Sequence, residues 1–540
     1  MSGTVNANGE NASGAGRPGV LWLSTFVAAL VLYVATLAPD LVWQDSGEYQ
    51  WTSARLSWPP AVHQADSLTH YSVWCRPGEA VRVHPWFVVT AWLVGRVPFW
   101  NYAYAANLCS AISMALAAAN VVLLVRWMTG RTAAAVVAGI AFAVGHTVWT
   151  FAVISEVLGW SAALASAEGL CAWMWLRQRE ERWLLLLFFL NGVALSNHLM
   201  AALSLAVFGV WMVVECVRRR APGWVIPAAA GVWLLGGMLY WVVVGLEYAR
   251  TGDLVETLRS ATVGYHTGAV ANVGGLGAML GRSALYLALN YPTPLAAAGV
   301  VGLVVLVRRR DAFSVLLVAL GAVTLAWAAR YRVPDQYSFF VPFYVWASVA
   351  IGVGAARVLD GRRWARWPML ALALLPVAVY AVLPEAVRQA DPDLAKDLFK
   401  RQLPYRDSYR YFLQPWKCGD RSARRFAEEA LEGLPKRAVL LADTTPSPPL
   451  KCLRDVEGVR RDVLVVDPYD SRFSAGLRVY WPGRSASGAP PPPPALAEGR
   501  RAFVVSDVPG YVPQWVGAAG RLEPFGRIFE FKPAPEGEGP

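Results

Sequence analysis

The sequence predicts a polytopic membrane protein: a mainly α bundle of apolar helices followed by a small α/β domain. Three observations predict it. Of the 540 residues, 56% are hydrophobic and only 16% charged, well below the roughly 25% charged residues of a soluble domain. The apolar residues gather in runs of about twenty, the length that crosses about 30 Å of hydrocarbon. Beyond about residue 385 charges return and the runs shorten to strand length.

Hydropathy predicts about eleven spans, near 20–38, 103–126, 132–150, 157–176, 183–196, 199–216, 224–246, 284–307, 312–328, 338–356 and 367–384. Residues 1–18 are rich in Gly, Asn, Ala and Ser and are expected to be a disordered cytoplasmic N-terminus. The run from Val20 to Ala38 reads as a retained signal anchor, because Pro39 follows and the run is too long for a cleaved leader. Arg126 and Arg131, then Arg177 to Arg182, Arg218 to Arg220, Arg308 to Arg310, and Arg357 to Arg366 fill alternate loops. All fall on one side if the N-terminus is cytoplasmic, as the bias of Lys and Arg toward cytoplasmic loops requires. The formal charge of +11 is therefore read as topology, and nucleic-acid binding is set aside. Most of the 25 tryptophans are read as interfacial anchors.

The spans and their loops, 19–384, form one expected domain. Its first outer loop, 39–102, holds an amphipathic stretch from Ser46 to Leu56 and an apolar half-span from Trp86 to Val97, both suited to lie in the interface. A second expected domain, 385–540, lies outside the membrane. There Arg421 to Leu434 reads as an amphipathic helix, and 438–443, 462–467 and 501–506 as buried strands of a parallel sheet. Pro490 to Pro494 reads as a polyproline spacer.

Cys109, Cys171 and Cys216 lie in apolar runs and read as small hydrophobes. Cys75, Cys418 and Cys452 lie in polar segments, and in an oxidising compartment the last two could pair. No zinc-like spacing, Walker motif, HExxH or GxSxG is present, and Gly352-Val-Gly354 lacks the third glycine of a dinucleotide loop.

Asp45 and Glu48, in Trp43-Gln-Asp-Ser-Gly-Glu48, either complete a helix start as an acidic cap or form a carboxylate pair. In the second case one would take a proton from an attacking hydroxyl and the other would hold an acceptor or a divalent cation. His84-Pro85 opens the half-span; His84 is either a solvated interfacial side chain or a phosphate contact. Glu156 lies where a span meets the outer side, a costly place for a carboxylate and so a functional candidate. Glu168, within the next span, is read as structural. Asn197 and His198 interrupt an apolar stretch; they either satisfy each other across helices or line a polar cavity. Arg332 and Asp335, in Arg330-Tyr-Arg-Val-Pro-Asp-Gln-Tyr337, either pair with each other or offer an Arg to a lipid phosphate. Topology places Asp45, Glu48, His84, Glu156, His198, Arg332 and Asp335 at one outer face.

With Gln44-Asp-Ser-Gly-Glu48, His84-Pro85, Glu156-Val157, Ser196-Asn-His198, Val333-Pro-Asp-Gln-Tyr337 and Phe340-Val-Pro342 in hand, the chain resembles a bacterial multi-span membrane family, formerly of unknown function. That family is similar to the animal transmembrane O-mannosyltransferase of plexin-type domains. The likeness covers roughly 20–360, with a looser match from Pro415. Gln44 and Ser196 stand where the family usually has glycine, and the loop before His84 is longer. The resemblance implies a GT-C fold and an inverting glycosyltransferase. Such an enzyme takes a sugar from a polyprenyl-phosphate carrier on the non-cytoplasmic side of a bacterial inner membrane. Asp45 matches the base. Glu48 would orient the acceptor, a protein or glycolipid hydroxyl, and His84, His198 and Arg332 would contact the phosphate. Glu156 would line the sugar pocket, with Asn197 and Asp335 beside it. Two other readings remain: a transporter or flippase, whose polar residues would mark a path, and a non-catalytic partner whose outer domain binds protein.

Overall fold

The computed structural model describes residues 18–56, 80–98, 100–264, 275–391, 401–467, 500–509, 511–512, 516 and 520–533. The N-terminal tail, Cys75 and the Pro490 to Pro494 run lie outside the described residues. Helix α1 (Pro18–Ala35) is followed by α2 (Gln44–Ala54), α3 (Pro85–Val94), α4 (Tyr102–Thr129), α5 (Thr132–Ala143), α6 (His146–Ala152), α7 (Leu158–Gln178), α8 (Glu181–Asn197) and α9 (Ala201–Val217). Then come α10 (Val225–Gly236), α11 (Met238–Thr251), α12 (Leu254–Thr262), α13 (Leu276–Asn290), α14 (Ala296–Arg309), α15 (Ala312–Arg330), α16 (Val341–Val358) and α17 (Arg366–Ala390). After α18 (Ser408–Leu413) and α19 (Ser422–Glu432), β1 (Val439–Leu441), α20 (Ser447–Lys451), β2 (Leu464–Val466), β3 (Ala502–Val504), β4 (Gly520–Phe525) and β5 (Ile528–Pro533) complete the chain.

The central helix is α4. Asn101 caps its start by accepting from the Tyr104 N–H at 2.7 Å, and Gly130, at φ 69°, ends it in the left-handed conformation that glycine adopts freely. Buried alanines line it on several faces, so α1, α5, α7 and α16 pack around it. Small residues also let α14 and α16 pass closely: a Cβ on Gly302 would lie 1.8 Å from the Ala350 carbonyl oxygen. Such close approach is how helices associate where lipid offers no hydrophobic drive.

Among the described residues, five helices are long and apolar enough to cross a membrane, or up to seven if the bent pairs α5–α6 and α10–α11 each count once. The expected eleven runs are largely helical, but the run at 284–307 is broken at 291–295 into α13 and α14, and several helices are short. Helices α8 and α9 have 17 residues each and α14 has 14, while α7 carries Glu168 and Arg177.

The arginine-rich loops do share one end of the bundle. Arg131 reaches the Leu359 carbonyl and the Asp360 carboxylate, and Arg179 pairs with Glu215. At the other end sits the sheet, in the order β2-β1-β3-β5-β4. Strands β2, β1 and β3 are parallel, as the buried apolar runs predict, whereas β5 and β4 join as an antiparallel hairpin. The sheet is thus mixed, not parallel throughout. Cys418 is exposed and Cys452 buried, and both are free thiols. The pairing considered from sequence is absent because Cys452 faces inward, with its sulfur 4.0 Å from the Gly47 carbonyl oxygen.

Candidate active site

Helix α2 forms where the amphipathic stretch predicts it, but its start is not an acidic cap. Trp43 occupies the N-cap position and makes no side-chain cap bond; Asp45 lies in the first turn. The turn into the helix puts Gln44 at φ 59°, a left-handed conformation that costs a non-glycine residue about 1 kcal/mol. Its N–H is held by the Thr445 carbonyl oxygen at 3.1 Å, from the loop after β1. That geometry gives a reason for glycine at this position in the family the sequence resembles.

The sheet unit grips α2 at further points. Trp43 Nε1 donates to Ser422 Oγ at 2.8 Å and Trp51 Nε1 to Asp455 at 2.9 Å. Asp40, just before the helix, meets Arg424 at 2.6 Å, and Arg424 also binds Glu457. On the opposite face Gln50 is fully buried. It accepts from the Val42 N–H and donates to the Asp40 and Ala103 carbonyls and to Asn107. Asn107 in turn accepts from Ser155, whose hydroxyl also donates to the Ser46 carbonyl. A satisfied buried network of this kind fixes one arrangement. It locks α2 against α4 and the loop that carries Glu156.

Between these elements lies a cavity of about 460 Å³. Asp45, Glu48, His84, Glu156, His198 and Asp335 all line it, together with Arg82, Tyr49, Tyr331 and Phe339. Asp45 is exposed, its side chain 60% accessible, with the Arg82 guanidinium 3.4 Å away. Glu48 is buried. Glu156 accepts from the Val157 N–H at 3.0 Å; burial, and then the charge of Asp45, push its carboxyl well above the usual range. Asp335 is also exposed at the surface; desolvation within the cavity, followed by the same charge, raises it as well. Grouped carboxyls of this kind cannot all ionise together.

The two histidines stack with centroids 5.0 Å apart. His84, at φ 50°, caps α3, and its Nδ1 lies 2.8 Å from the Asn197 carbonyl oxygen. A carbonyl only accepts, so this nitrogen carries the hydrogen. His198 is the reverse. Its Nδ1 accepts from the Met200 N–H at 3.1 Å, leaving Nε2–H as a donor, and burial lowers its pKa to about 4. Phe339 and Tyr331 pack edge-on, and Tyr331 stacks on Trp327, forming an aromatic wall.

Two expected residues do not line the cavity. The Asn197 amide donates to the Val157 carbonyl and to Ser161, so it joins α8 to α7, and its backbone positions His84. Arg332 is exposed and lies toward Gly275, its guanidinium 3.1 Å from where a Cβ there would sit. Asp335 accepts from Ser338, not Arg332. The sequence reading passed over Arg82. Its signal was an arginine two residues before His84, on the side where loop arginines are disfavoured. Among the described residues, no group of three or more His, Cys, Asp or Glu side chains is arranged to hold a metal ion.

The sequence profile of the N-terminal domain of the protein O-mannosyl-transferase TMEM260 matches residues 83–221, a stretch that contains His84, Glu156, Asn197 and His198. A comparison with curated proteins gives no match. Among solved structures, ArnT from Cupriavidus metallidurans bound to undecaprenyl phosphate is similar over 95% of this chain and 99% of its own, with a TM-score of 0.61 and 14% identity. Its apo state gives 96%, 100%, 0.60 and 15%. The apo oligosaccharyltransferase of Archaeoglobus fulgidus is similar over 92% of this chain and 70% of its own, with a TM-score of 0.47 and 13% identity. Residues 83–221 are therefore similar to the N-terminal domain of the protein O-mannosyl-transferase TMEM260, and the chain as a whole shares the fold of ArnT.

Proposed function

We propose that the protein is a membrane glycosyltransferase. It moves a sugar from a polyprenyl-phosphate carrier to a protein or glycolipid hydroxyl on the non-cytoplasmic face of a bacterial inner membrane, with Asp45 as base. The N-terminus is then cytoplasmic and the sheet unit lies outside. The observation that carries this reading is the cavity itself, where an exposed carboxylate, a guanidinium and two histidines of opposite hydrogen-bonding sense share one space beside an aromatic wall. ArnT, whose structure contains undecaprenyl phosphate, supplies the precedent for the carrier.

The chemistry follows from charge. The acceptor hydroxyl attacks the anomeric carbon from the face opposite the phosphate, forming the new glycosidic bond with inversion. Its proton passes to Asp45. The bond from the anomeric carbon to the phosphate oxygen breaks, and the electron pair leaves with the phosphate. Arg82 and the His198 Nε2–H stabilise that charge. Protonated Glu156 and Asp335 can donate to sugar hydroxyls. Glu48 orients the acceptor, and Arg332 stands outside the cavity as a second cation for the carrier. When the phosphate takes up Arg82, Asp45 is released to accept the proton.

The test is sugar transfer in membranes with a radiolabelled polyprenyl-phosphate sugar panel, comparing wild type with Asp45→Asn. Transfer by the wild type that Asp45→Asn abolishes, at equal protein in the membrane, is the expected result. A donor left unconsumed by the wild type, or full activity in the variant, overturns the assignment.

A further inference from the structure

A second hollow, of about 340 Å³, opens at the far end of the bundle from the cavity, between the ends of α4, α7, α14 and the start of α15. Its walls are apolar where they meet the bundle. Met128 and Leu176 line it, and Trp173 meets Phe313 edge-on at 5.0 Å. Arg177 lies over the Trp173 ring at 4.6 Å, and Arg309 closes the other side.

Four other arginines at this end have carboxylate partners: Arg131 and Arg357 share Asp360, and Arg179 and Arg220 share Glu215. Among the described residues, no ion pair within 4.0 Å includes Arg177 or Arg309. The one carboxylate in the hollow, Asp311, feels the charge of Arg309 and is hydrogen-bonded to Ser314. Its two oxygens accept from the Ser314 N–H at 3.0 Å and the Ser314 hydroxyl at 2.7 Å. The hollow is thus net positive. It also adjoins a lipid-type surface, since Val300, Leu303, Val304 and Val307 of α14 are exposed large hydrophobics.

We propose that this hollow binds the phosphate of an anionic phospholipid headgroup in the adjoining leaflet. Arg177 and Arg309 clamp the phosphate from two sides, Trp173 and Phe313 support the glycerol, and the acyl chains run along α14. Arginine forks match phosphate oxygens in geometry as well as charge, and basic hollows between spanning helices are known to take such headgroups. The site lies apart from the proposed sugar-transfer cavity and does not depend on that activity.

The test is native mass spectrometry of the full chain released from detergent with added phosphatidylglycerol or phosphatidylcholine, and with inorganic phosphate as competitor. The wild type is expected to retain phosphatidylglycerol in preference. The Arg177→Gln/Arg309→Gln variant should lose about tenfold in retention, and Arg131→Gln, which removes a paired arginine from the same end, should change little. Competition by inorganic phosphate assigns the phosphate group alone as the ligand; persistence against it assigns the lipid-borne headgroup. A wild type that shows no headgroup preference overturns the proposal without any variant. Equal losses in Arg131→Gln and the double variant overturn it too.

Discussion

Gly47 lies within α2 between Asp45 and Glu48, and its replacement by alanine sets two effects against each other. Within an isolated helix the change gains about 1 kcal/mol, since glycine loses more backbone freedom on folding. The fold opposes it. A Cβ at this position would sit 2.4 Å from the Val42 carbonyl oxygen and 2.9 Å from the Pro448 Cβ. Neither neighbour can turn aside. The Val42 oxygen is backbone, and the Val42 N–H is fixed by Gln50 at 3.0 Å, while Pro448 is a ring without alternative rotamers. Overpacking of this kind costs roughly 1–3 kcal/mol, so Gly47→Ala should come out neutral to about 2 kcal/mol destabilised. The gap must open by moving α2 against the sheet unit, and α2 carries Asp45 and Glu48. A displacement near 1 Å at a reacting group can cost about 100-fold in rate. Activity should therefore fall further than stability accounts for.

The assay is thermal unfolding of purified protein alongside sugar transfer at a temperature below both midpoints. Gly209→Ala, within α9, is the comparison, because a Cβ at Gly209 meets nothing within 4 Å; it should gain up to about 1 kcal/mol and keep activity. If Gly47→Ala behaves like Gly209→Ala in both measurements, the close contact between α2 and the sheet unit is not what holds the site.

Arg424→Ala leaves Asp40, whose side chain is 9% exposed, without its cation and should cost about 3 kcal/mol, read as a lowered unfolding midpoint; an unchanged midpoint refutes the ion pair. Glu156 supplies a pH test. The folded chain holds this proton more tightly than the unfolded chain, from burial first and the Asp45 charge second. Its contribution to stability is full below the ordinary value of 4.5 and is lost as pH rises through the raised folded value. Glu156→Gln lacks that loss, so the variant's melting temperature should gain on the wild type as pH is raised, and parallel profiles contradict the assignment. Arg82→Lys keeps the charge but not the planar fork. It should lower kcat/KM for the lipid donor about tenfold, and wild-type kinetics would remove Arg82 from the phosphate site.

Much of the site was legible because polar groups beside lipid are expensive. Asp45, Glu48, His84, Glu156, His198 and Asp335 each interrupt or border an apolar stretch, and all six line one cavity. The amphipathic stretch from Ser46 and the half-span from Trp86 gave α2 and α3 within a few residues. What stayed hidden depends on where side chains point. Asn197 and His198 are neighbours, yet one turns into the α7 contact and the other into the cavity, and no periodicity separates residues at a helix end. The bond from Trp51 to Asp455 spans 404 positions and leaves no local pattern. Strands β4 and β5 alternate charged residues such as Arg521, Glu523, Glu530 and Lys532, so they lack the continuous apolar run that revealed β1, β2 and β3.

Two strained residues explain why the site needs the whole chain. Gln44 and His84 both hold positive φ; Gln44 opens α2, which lines the cavity, and His84, which lines it itself, directly precedes α3. Such conformations persist only where the surroundings over-determine them. At Gln44 the restraint is the Thr445 carbonyl oxygen, from the sheet unit; at His84 it is the Asn197 carbonyl oxygen, from the end of α8. The residues that match the TMEM260 profile, 83–221, contain the second restraint but neither the first nor the residue it holds. Asp45 thus takes its position from a segment about 400 residues further along the chain. The sheet unit lines no part of the cavity, yet it holds in place the helix that carries Asp45 and Glu48.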